Sequence, residues 1–323
     1  VSSASVPSPH ASFDANASAL ATPAVTVTVA TYNRSNVLGY AIRSVLAQTR
    51  ADWELLVVGD GCTDDTAEVV ASFADPRIRF VNLDPRVGDQ SGPTNEGMAR
   101  ARGRYIALLN HDDLWFPDHL AEAVAVLERT NADCTFSLQL EADPDGRWRV
   151  NAAYPDDAWD PILCPSASTW MFRRELGLRV GQLRHRDRLF SYPTREWLWR
   201  AHSAGARFVP THAATVVIIS STVRRNVYAQ RQWLEHDAVW RAMTGEPGFR
   251  ERLLVDAWFH PAPTHLRAFG ARLLLRALAM RWVGRAAQML KVDPESVYCY
   301  YKFPKRWGIV PTRRAVIREP NRR

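Results

Sequence analysis

The sequence has no apolar run long enough to span a bilayer, which excludes a helical membrane span. Cysteine is scarce. The four, Cys62, Cys134, Cys164 and Cys299, lie far apart with no metal or redox spacing, so they read as packed or incidental thiols in a reducing compartment. The first 24 residues are rich in Ala, Ser and Pro and carry Asp14 as their only charge. They lack the basic start and apolar core of a secretory signal, and a disordered leader over residues 1–24 is expected. No nucleic-acid recognition motif and no internal repeat occurs, so nucleic acid is not expected as a partner. A Gly-rich, basic phosphate loop after the first strand is also missing. Thr31-Tyr32-Asn33-Arg34 stands there instead, which disfavours a nucleotidyltransferase or pyrophosphorylase.

At 323 residues, with 46% hydrophobic and 23% charged residues, the composition is that of an ordinary globular protein. One α/β domain with C-terminal additions accounts for the length. The net charge of +7 is unevenly spread. Residues 264–323 hold 14 Lys/Arg against 3 Asp/Glu, a net of +11, so the remaining 263 residues carry −4. The basic character belongs to the tail and suits an anionic partner such as a membrane surface.

Strand and helix patterns alternate through the first half. Val25–Thr31 reads as a strand, and Val37, Leu38, Ala41, Ile42, Val45 and Leu46 as one helical face with Ser35 or Asn36 as cap. Trp53–Gly59 is the next strand, followed by a helix carrying Val69, Val70 and Phe73 that Asp64 can cap. Ile78–Leu83, Tyr105–Leu109 and Cys134–Leu140 are further strands, and Thr94–Arg102 a helix. Pro117 suits the first turn of a helix whose inner face is Leu120, Val124 and Leu127. Asp143-Pro144-Asp145-Gly146 is a hairpin-type turn, and Tyr154–Ser168 a loop over the site. Thr169–Phe172 reads as a short strand, Arg195–Ala204 as a helix closed by Gly205, and Arg207–Val209 as a strand. Residues 226–243 and 264–292 read as helical.

This alternation predicts an α/β fold with a mostly parallel sheet flanked by helices. Ligands in such sheets sit at the carboxyl ends of the strands. Here those ends are Thr31–Arg34, Gly59–Thr63 and Asn110–Asp113, so polar clusters converge on one edge. Asp112 and Asp113 are adjacent acids at the end of an apolar run, and they resist burial unless a cation or hydrogen-bonding ligand compensates them. Mg²⁺ or Mn²⁺ with few protein ligands completes its shell with substrate phosphates.

The strand Val25–Thr31 with Tyr32-Asn33-Arg34, the segment Asp52 to Thr66, the strand Tyr105–Leu109 and the run Leu108-Leu109-Asn110-His111-Asp112-Asp113-Leu114-Trp115 stand in an order that resembles the inverting nucleotide-sugar glycosyltransferases of family 2. The resemblance covers roughly residues 25–215. It implies a GT-A-like fold, a nucleoside-diphosphate sugar donor and a divalent cation, Mn²⁺ or Mg²⁺. It makes Asp113 the direct metal ligand, with Asp112 towards the ribose or the metal's water shell. Asn110 stands where the family usually has an acid, which predicts weaker metal binding. His111 is not expected to ligate, because such a site favours oxygen. Asp60 matches the acid that accepts a hydrogen bond from uracil N3, so UDP or dTDP sugars fit better than CDP sugars, with GDP also open. Thr31, Tyr32 and Arg34 match the nucleotide-cradling segment.

The general base that the resemblance implies falls on Glu196 in Tyr192-Pro193-Thr194-Arg195-Glu196, with Asp187 in reserve. The helix N-terminus there favours the ionised carboxylate. Arg224 and Arg225 are candidates for the leaving diphosphate, and Trp170 and Trp197 for stacking on sugar faces. The expected domains are a leader, 1–24, a catalytic domain, 25–215, and a mainly helical basic region, 216–323. Within that region Arg272, Arg276, Arg281 and Arg285 do not line one helical face, and Leu273, Leu274, Leu275, Leu278, Trp282 and Val283 surround the same helix. This predicts packing on the catalytic domain or a partner, with arginines able to touch lipid headgroups. The expected activity is inverting transfer to a hydroxyl of a glycan, lipid-linked glycan or small glycoside. Its expected place is the cytoplasm or the inner membrane face. A non-catalytic nucleotide- or glycan-binding scaffold on the same fold is the alternative.

Overall fold

The computed structural model describes residues 22–142, 146–151, 165–189, 192–219 and 226–259. Most of the expected leader, the Asp143–Asp145 turn, most of the 154–168 loop, Arg224, Arg225, Cys164, Cys299 and the basic 264–292 stretch lie outside the described residues.

The chain runs β1 (Val25–Thr31), α1 (Ser35–Leu46), β2 (Trp53–Gly59), α2 (Thr66–Ala71), β3 (Ile78–Asn82), α3 (Ser91–Arg100), β4 (Tyr105–Asn110), β5 (Leu114–Trp115), α4 (His119–Thr130), β6 (Cys134–Ala142) and β7 (Trp148–Asn151). It continues with β8 (Trp170–Arg173), α5 (Arg174–Val180), α6 (Pro193–Ser203), β9 (Phe208–Ile218), α7 (Val227–Gln230), α8 (Leu234–Gly245) and α9 (Phe249–Phe259). The strands form one nine-stranded sheet in the order β3-β2-β1-β4-β8-β6-β9-β5, with β7 paired to β6.

The β3-β2-β1-β4 half is wholly parallel. Beyond it the sheet is mixed, because β8 lies antiparallel between β4 and β6 while β9 runs parallel to β6. Helices cover the sheet, as the alternation of strands and helices requires.

The Val/Thr alternation of β1 explains its two environments. Val25, Val27 and Val29 join the core built with Leu38, Ala41, Ile42 and Val45 of α1 and Leu120, Val124 and Leu127 of α4. The other face packs on α3. A Cβ at Gly97 would fall 2.1 Å from Thr28 Cγ2, so only glycine lets α3 lie this close to β1. At the amino end, Thr26 Oγ1 donates to Glu54 Oε1 at 2.7 Å and accepts from Gly103 N at 2.8 Å. Burial alone would raise the Glu54 pKa, but hydrogen bonds from Arg102 and Thr26, with the charge of Arg79, hold it below the ordinary value.

A second core lies between β4, β6 and β8 and helix α6, with Phe136, Trp170, Phe172, Trp197 and Phe208 at its centre. A third joins Phe116, Leu140, Val217 and Ile219 to Val239, Phe249 and Leu253 of α8 and α9. The boundary expected at 215/216 therefore falls inside β9, and the helices that follow share a core with the sheet.

Local corrections have simple causes. Helix α1 is not capped by Ser35 or Asn36. Its first amide, Ser35 N, donates to Asp64 Oδ2 of the neighbouring loop at 3.2 Å. Helix α3 begins at Ser91 because Asp89 Oδ1 accepts from Ser91 N at 2.9 Å, and Pro93 fits the first turn.

Candidate active site

Register fixes the site. Thr31 lies opposite Gly59 and Ala30 opposite Asn110, so the loops after β1, β2 and β4 leave the sheet at one level. Asn33, at φ 48°, laces two of them together. Its Oδ1 accepts from Thr63 N at 2.8 Å, and its Nδ2 donates to Thr63 Oγ1 at 3.2 Å.

Asp60 is buried at the end of β2. Its carboxylate accepts from Val87 N at 2.7 Å and Gly88 N at 2.8 Å, with Arg86 Nε at 3.5 Å. The Arg86 guanidinium lies over the Tyr32 ring, 3.6 Å from its centroid. Asp60 and Tyr32 are thus brought together, joined by a loop after β3 that the sequence reading did not select. The signal was available, because Arg86 also follows the carboxyl end of a parallel strand. Thr31 and Arg34 are both buried. Thr31 contributes its carbonyl to Asp60 N at 2.8 Å. Burial lowers the Arg34 pKa, and the nearby charge of Asp112 opposes that shift.

The acid pair divides into two environments. Asp113 is 1% exposed. Its Oδ2 accepts from Asn110 Nδ2 at 2.8 Å and from the Ser168 hydroxyl, and its Oδ1 accepts from Ile219 N at 3.3 Å. Burial first, and then the charge of Asp112, push its pKa up, while the hydrogen bonds from Ser168 and Asn110 oppose that shift. Both oxygens of the acid that the resemblance makes the metal ligand are thus engaged by protein donors. Asp112 lies beside it at 7% exposure. It is flanked by anchored neighbours: His111 Nδ1 pairs with Ala30 O at 3.2 Å, and the carbonyl of Asp112 itself pairs with His236 Nε2 at 3.1 Å. Burial lowers the pKa of both histidines, His236 to about 4. Each is therefore a neutral donor through the named nitrogen at pH 7.

Among the described residues no group of three or more His, Cys, Asp or Glu could hold a metal ion. A single carboxylate in an oxygen environment still fits a hard cation whose remaining ligands come from a diphosphate.

A C-terminal strap closes this edge. Tyr228 lies 5.3 Å from the Arg34 guanidinium. Arg231 pairs with Asp64 at 3.4 Å and Asp65 at 3.1 Å and donates to the Ser35 hydroxyl. Asn36 Nδ2 donates to Gln232 O at 3.0 Å. Between 166 and 196 residues separate these partners, so local sequence patterns could not reveal the strap.

Glu196 occupies the first turn of α6, behind Pro193, and is 4% exposed. Its Oε1 is paired with Arg200 Nε at 2.8 Å and Arg184 Nη1 at 3.0 Å, while Oε2 is buried with no hydrogen-bond partner. The adjacent Trp197 stacks on Trp170 with centroids 6.1 Å apart. Trp170 begins β8 two residues after Ser168, so packing links α6 to the Asp113 cluster. Both tryptophans are buried core residues, at 0% and 1% exposure, which corrects their expected stacking on sugar. Asp187 has 77% of its side chain exposed beside His185 and Arg186, an environment that does not suit a general base.

Residues 26–178 match the family model described as glycosyl transferase family 2. The succinoglycan biosynthesis protein ExoO of Rhizobium meliloti (strain 1021) is 42% identical over 125 residues, which are 39% of this chain and 36% of ExoO. The Escherichia coli protein WfgD, UDP-Glc:alpha-D-GlcNAc-diphosphoundecaprenol beta-1,3-glucosyltransferase, is 35% identical over 107 residues, covering 33% of this chain and 42% of WfgD. The chain thus spans less than half the length of these curated relatives.

Among solved structures, S. aureus TarS 1-349 in complex with UDP superposes with a TM-score of 0.52 at 17% identity, over 71% of this chain and 75% of that one. The mannosyltransferase PcManGT of Pyrobaculum calidifontis, in complex with GDP-Man and Mn²⁺, gives 0.50 at 19% identity, over 86% and 84%. At these identities the likeness shows the fold, which is of the GT-A type.

Proposed function

We propose that the protein, whose residues 26–178 match the glycosyl transferase family 2 model, moves a sugar from a nucleoside-diphosphate sugar to an acceptor hydroxyl with inversion. The observation that carries this reading is Glu196. A buried carboxylate with one oxygen clamped by two arginines and the other without a partner is a poised proton acceptor. The orphaned Oε2 is costly to leave unpaired, and an acceptor hydroxyl satisfies it. Proton transfer from that hydroxyl to Oε2 accompanies attack on the anomeric carbon. The bond to the diphosphate breaks on the opposite face, which inverts the centre.

Asp60 and Tyr32 form the base end of the donor site. Asp60 keeps acceptor capacity beyond its two amide contacts. A carboxylate there favours a base presenting an N–H, so UDP and dTDP sugars fit, with GDP sugars open. TarS with UDP and PcManGT with GDP-Man are consistent with that range. Asp112 would hold Mn²⁺ or Mg²⁺, which neutralises charge on the departing diphosphate when bound. Buried Arg34 balances Asp112 from the protein side. Arg224 and Arg225 are assigned to the diphosphate on sequence grounds alone.

The acceptor class is a growing polysaccharide, a lipid-linked glycan or a small glycoside. The names of ExoO and WfgD favour polysaccharide assembly, and that of WfgD a lipid-linked acceptor. The basic 264–323 stretch suits peripheral contact with an anionic membrane at the cytoplasmic face. No helix among the described residues is long and apolar enough to cross a membrane.

Calorimetry with UDP, dTDP, GDP and CDP, with and without Mn²⁺, tests the donor site. Metal-dependent binding of UDP or dTDP is expected, and no binding under any condition would sink the proposal. Binding without turnover over a broad acceptor panel would leave a scaffold on a transferase fold.

A further inference from the structure

The geometry points to Asn110 as a positioning residue: its amide holds the buried Asp113 so that Asp112 is presented at a fixed place, and an acid at position 110 would damage the site. The contacts form a closed ring. Asn110 N donates to Ser168 Oγ at 3.0 Å, the Ser168 hydroxyl donates to Asp113 Oδ2, and Asn110 Nδ2 donates to that same oxygen at 2.8 Å. Asn110 Nδ2 also lies 3.4 Å from Ser166 Oγ. Facing a carboxylate oxygen, only the amide nitrogen of Asn110 can serve, because its oxygen has nothing to donate.

The ring explains why the missing charge need not weaken the site. Asp113 is buried, and its neighbour Asp112 is 7% exposed. A third carboxylate at 110 would replace a hydrogen-bond donor with a like charge against a buried acid, which costs far more than a surface repulsion. The loop from β4 to β5 would then lose one of the three bonds that fix Asp113 to β4, to the turn at Ala167–Thr169 and to the end of β9. Asp112 sits inside that loop, tied otherwise through its own carbonyl to His236 and through His111 to Ala30. Loosening the loop displaces the carboxylate proposed to receive the cation. For its ligand-binding arm the inference rests on the donor-site reading given above. Its stability arm does not.

The test compares wild type, Asn110→Asp and the exchanged pair Asn110→Asp/Asp113→Asn. In the exchanged pair an amide at 113 can donate to the acid at 110 and to Ser168 Oγ while its carbonyl still accepts from Ile219 N, so the ring re-forms with its polarity reversed. Two readouts are taken: thermal unfolding without ligand, and Mn²⁺-dependent UDP binding by calorimetry. Asn110→Asp is expected to lower the melting temperature and weaken Mn²⁺-dependent UDP binding about tenfold or more, the order expected for losing a charge-assisted hydrogen bond. The exchanged pair is expected to recover most of both losses. Unchanged stability with equal or tighter binding in Asn110→Asp would overturn the inference. So would an exchanged pair no better than the single variant. If wild type itself binds no nucleotide, the donor-site reading fails, while the three melting temperatures still decide whether the pair exists.

Discussion

Arg200 grips Glu196 from within the same helix: its Nε donates to Oε1 at 2.8 Å, one turn away, while Nη2 donates to Gln182 O at 2.7 Å and Nη1 to the Val180 carbonyl. The guanidinium is thereby fixed by backbone, and it fixes one carboxylate oxygen in turn. Glu196→Gln keeps the shape but cannot accept the proton, so turnover should fall by about 10²–10⁴-fold. Donor binding should stay unchanged, which calorimetry against steady-state kinetics checks. Arg200→Lys keeps charge but loses the fork, and should lower kcat with little effect on donor KM. Equal losses in donor affinity would mean that α6 supports the donor site instead.

The contrast between Asp112 and Asp113 makes a second prediction. Asp112→Asn should abolish the metal-dependent part of nucleotide binding while leaving the melting temperature near that of wild type. Asp113→Asn should do the opposite in proportion, because an amide nitrogen would face the amide nitrogen of Asn110 and break the ring with Ser168. Mn²⁺ titration beside thermal unfolding separates the two. A pattern with the roles exchanged would restore Asp113 as the ligand.

The limits of legibility follow from these same residues. Strands β1 and β2 were legible to the residue because Val25–Thr31 and Trp53–Gly59 are mainly β-branched or apolar, with Glu54 the one charge, and are bounded by polar loops. The pattern Arg207–Val209 covers only the start of β9, and Pro210, which follows it, has no amide to give a central strand. The strand in fact continues to Ile218 through an irregularity opposite Phe136–Gln139, where His212 takes a φ of 59°. Such a bulge absorbs the break and leaves no clear mark in one sequence. The resemblance implied Asp60 and Glu196, and they lie just after β2 and in the first turn of α6. Which of two adjacent acids turns inward was not legible, because that depends on Ser168 and Ile219, 55 and 106 residues away. The same holds for Trp170 and Trp197: a buried tryptophan and one waiting for a sugar look alike until the core is seen.

Gly97 provides a test of the fold apart from chemistry. Its missing Cβ lets α3 approach Thr28 of β1, where an added carbon would meet Cγ2 at 2.1 Å and Oγ1 at 2.8 Å. Thr28 is itself buried in the middle of β1. Gly97→Ala should destabilise the protein by about 1–3 kcal/mol through overpacking, despite alanine's better helix propensity. Denaturant unfolding measures this directly, and a stabilised variant would show that α3 shifts freely on the sheet.

His119 makes the stability depend on pH. It is wholly buried, stacked on Trp115 with centroids 4.2 Å apart, and its Nδ1 lies 2.8 Å from Thr215 Oγ1. Burial drives its pKa down from 6.5 to about 3. The native protein therefore keeps this imidazole neutral over a range in which the unfolded chain binds a proton. Above pH 6.5 both states are neutral and His119 contributes no slope. As pH falls from 6.5 towards 3, the unfolded state gains stability, by about 1.4 kcal/mol for each pH unit once well below 6.5. Replacing His119 with Asn keeps a polar atom near Thr215 but removes the titration. Its stability should be lower than wild type at pH 7, and the gap should narrow by about that slope between pH 6 and 5. Other groups with shifted pKa, His236 among them, act equally in both proteins and cancel in the difference. Urea unfolding at several pH values measures the gap. A gap independent of pH would mean that His119 is protonated in the folded core.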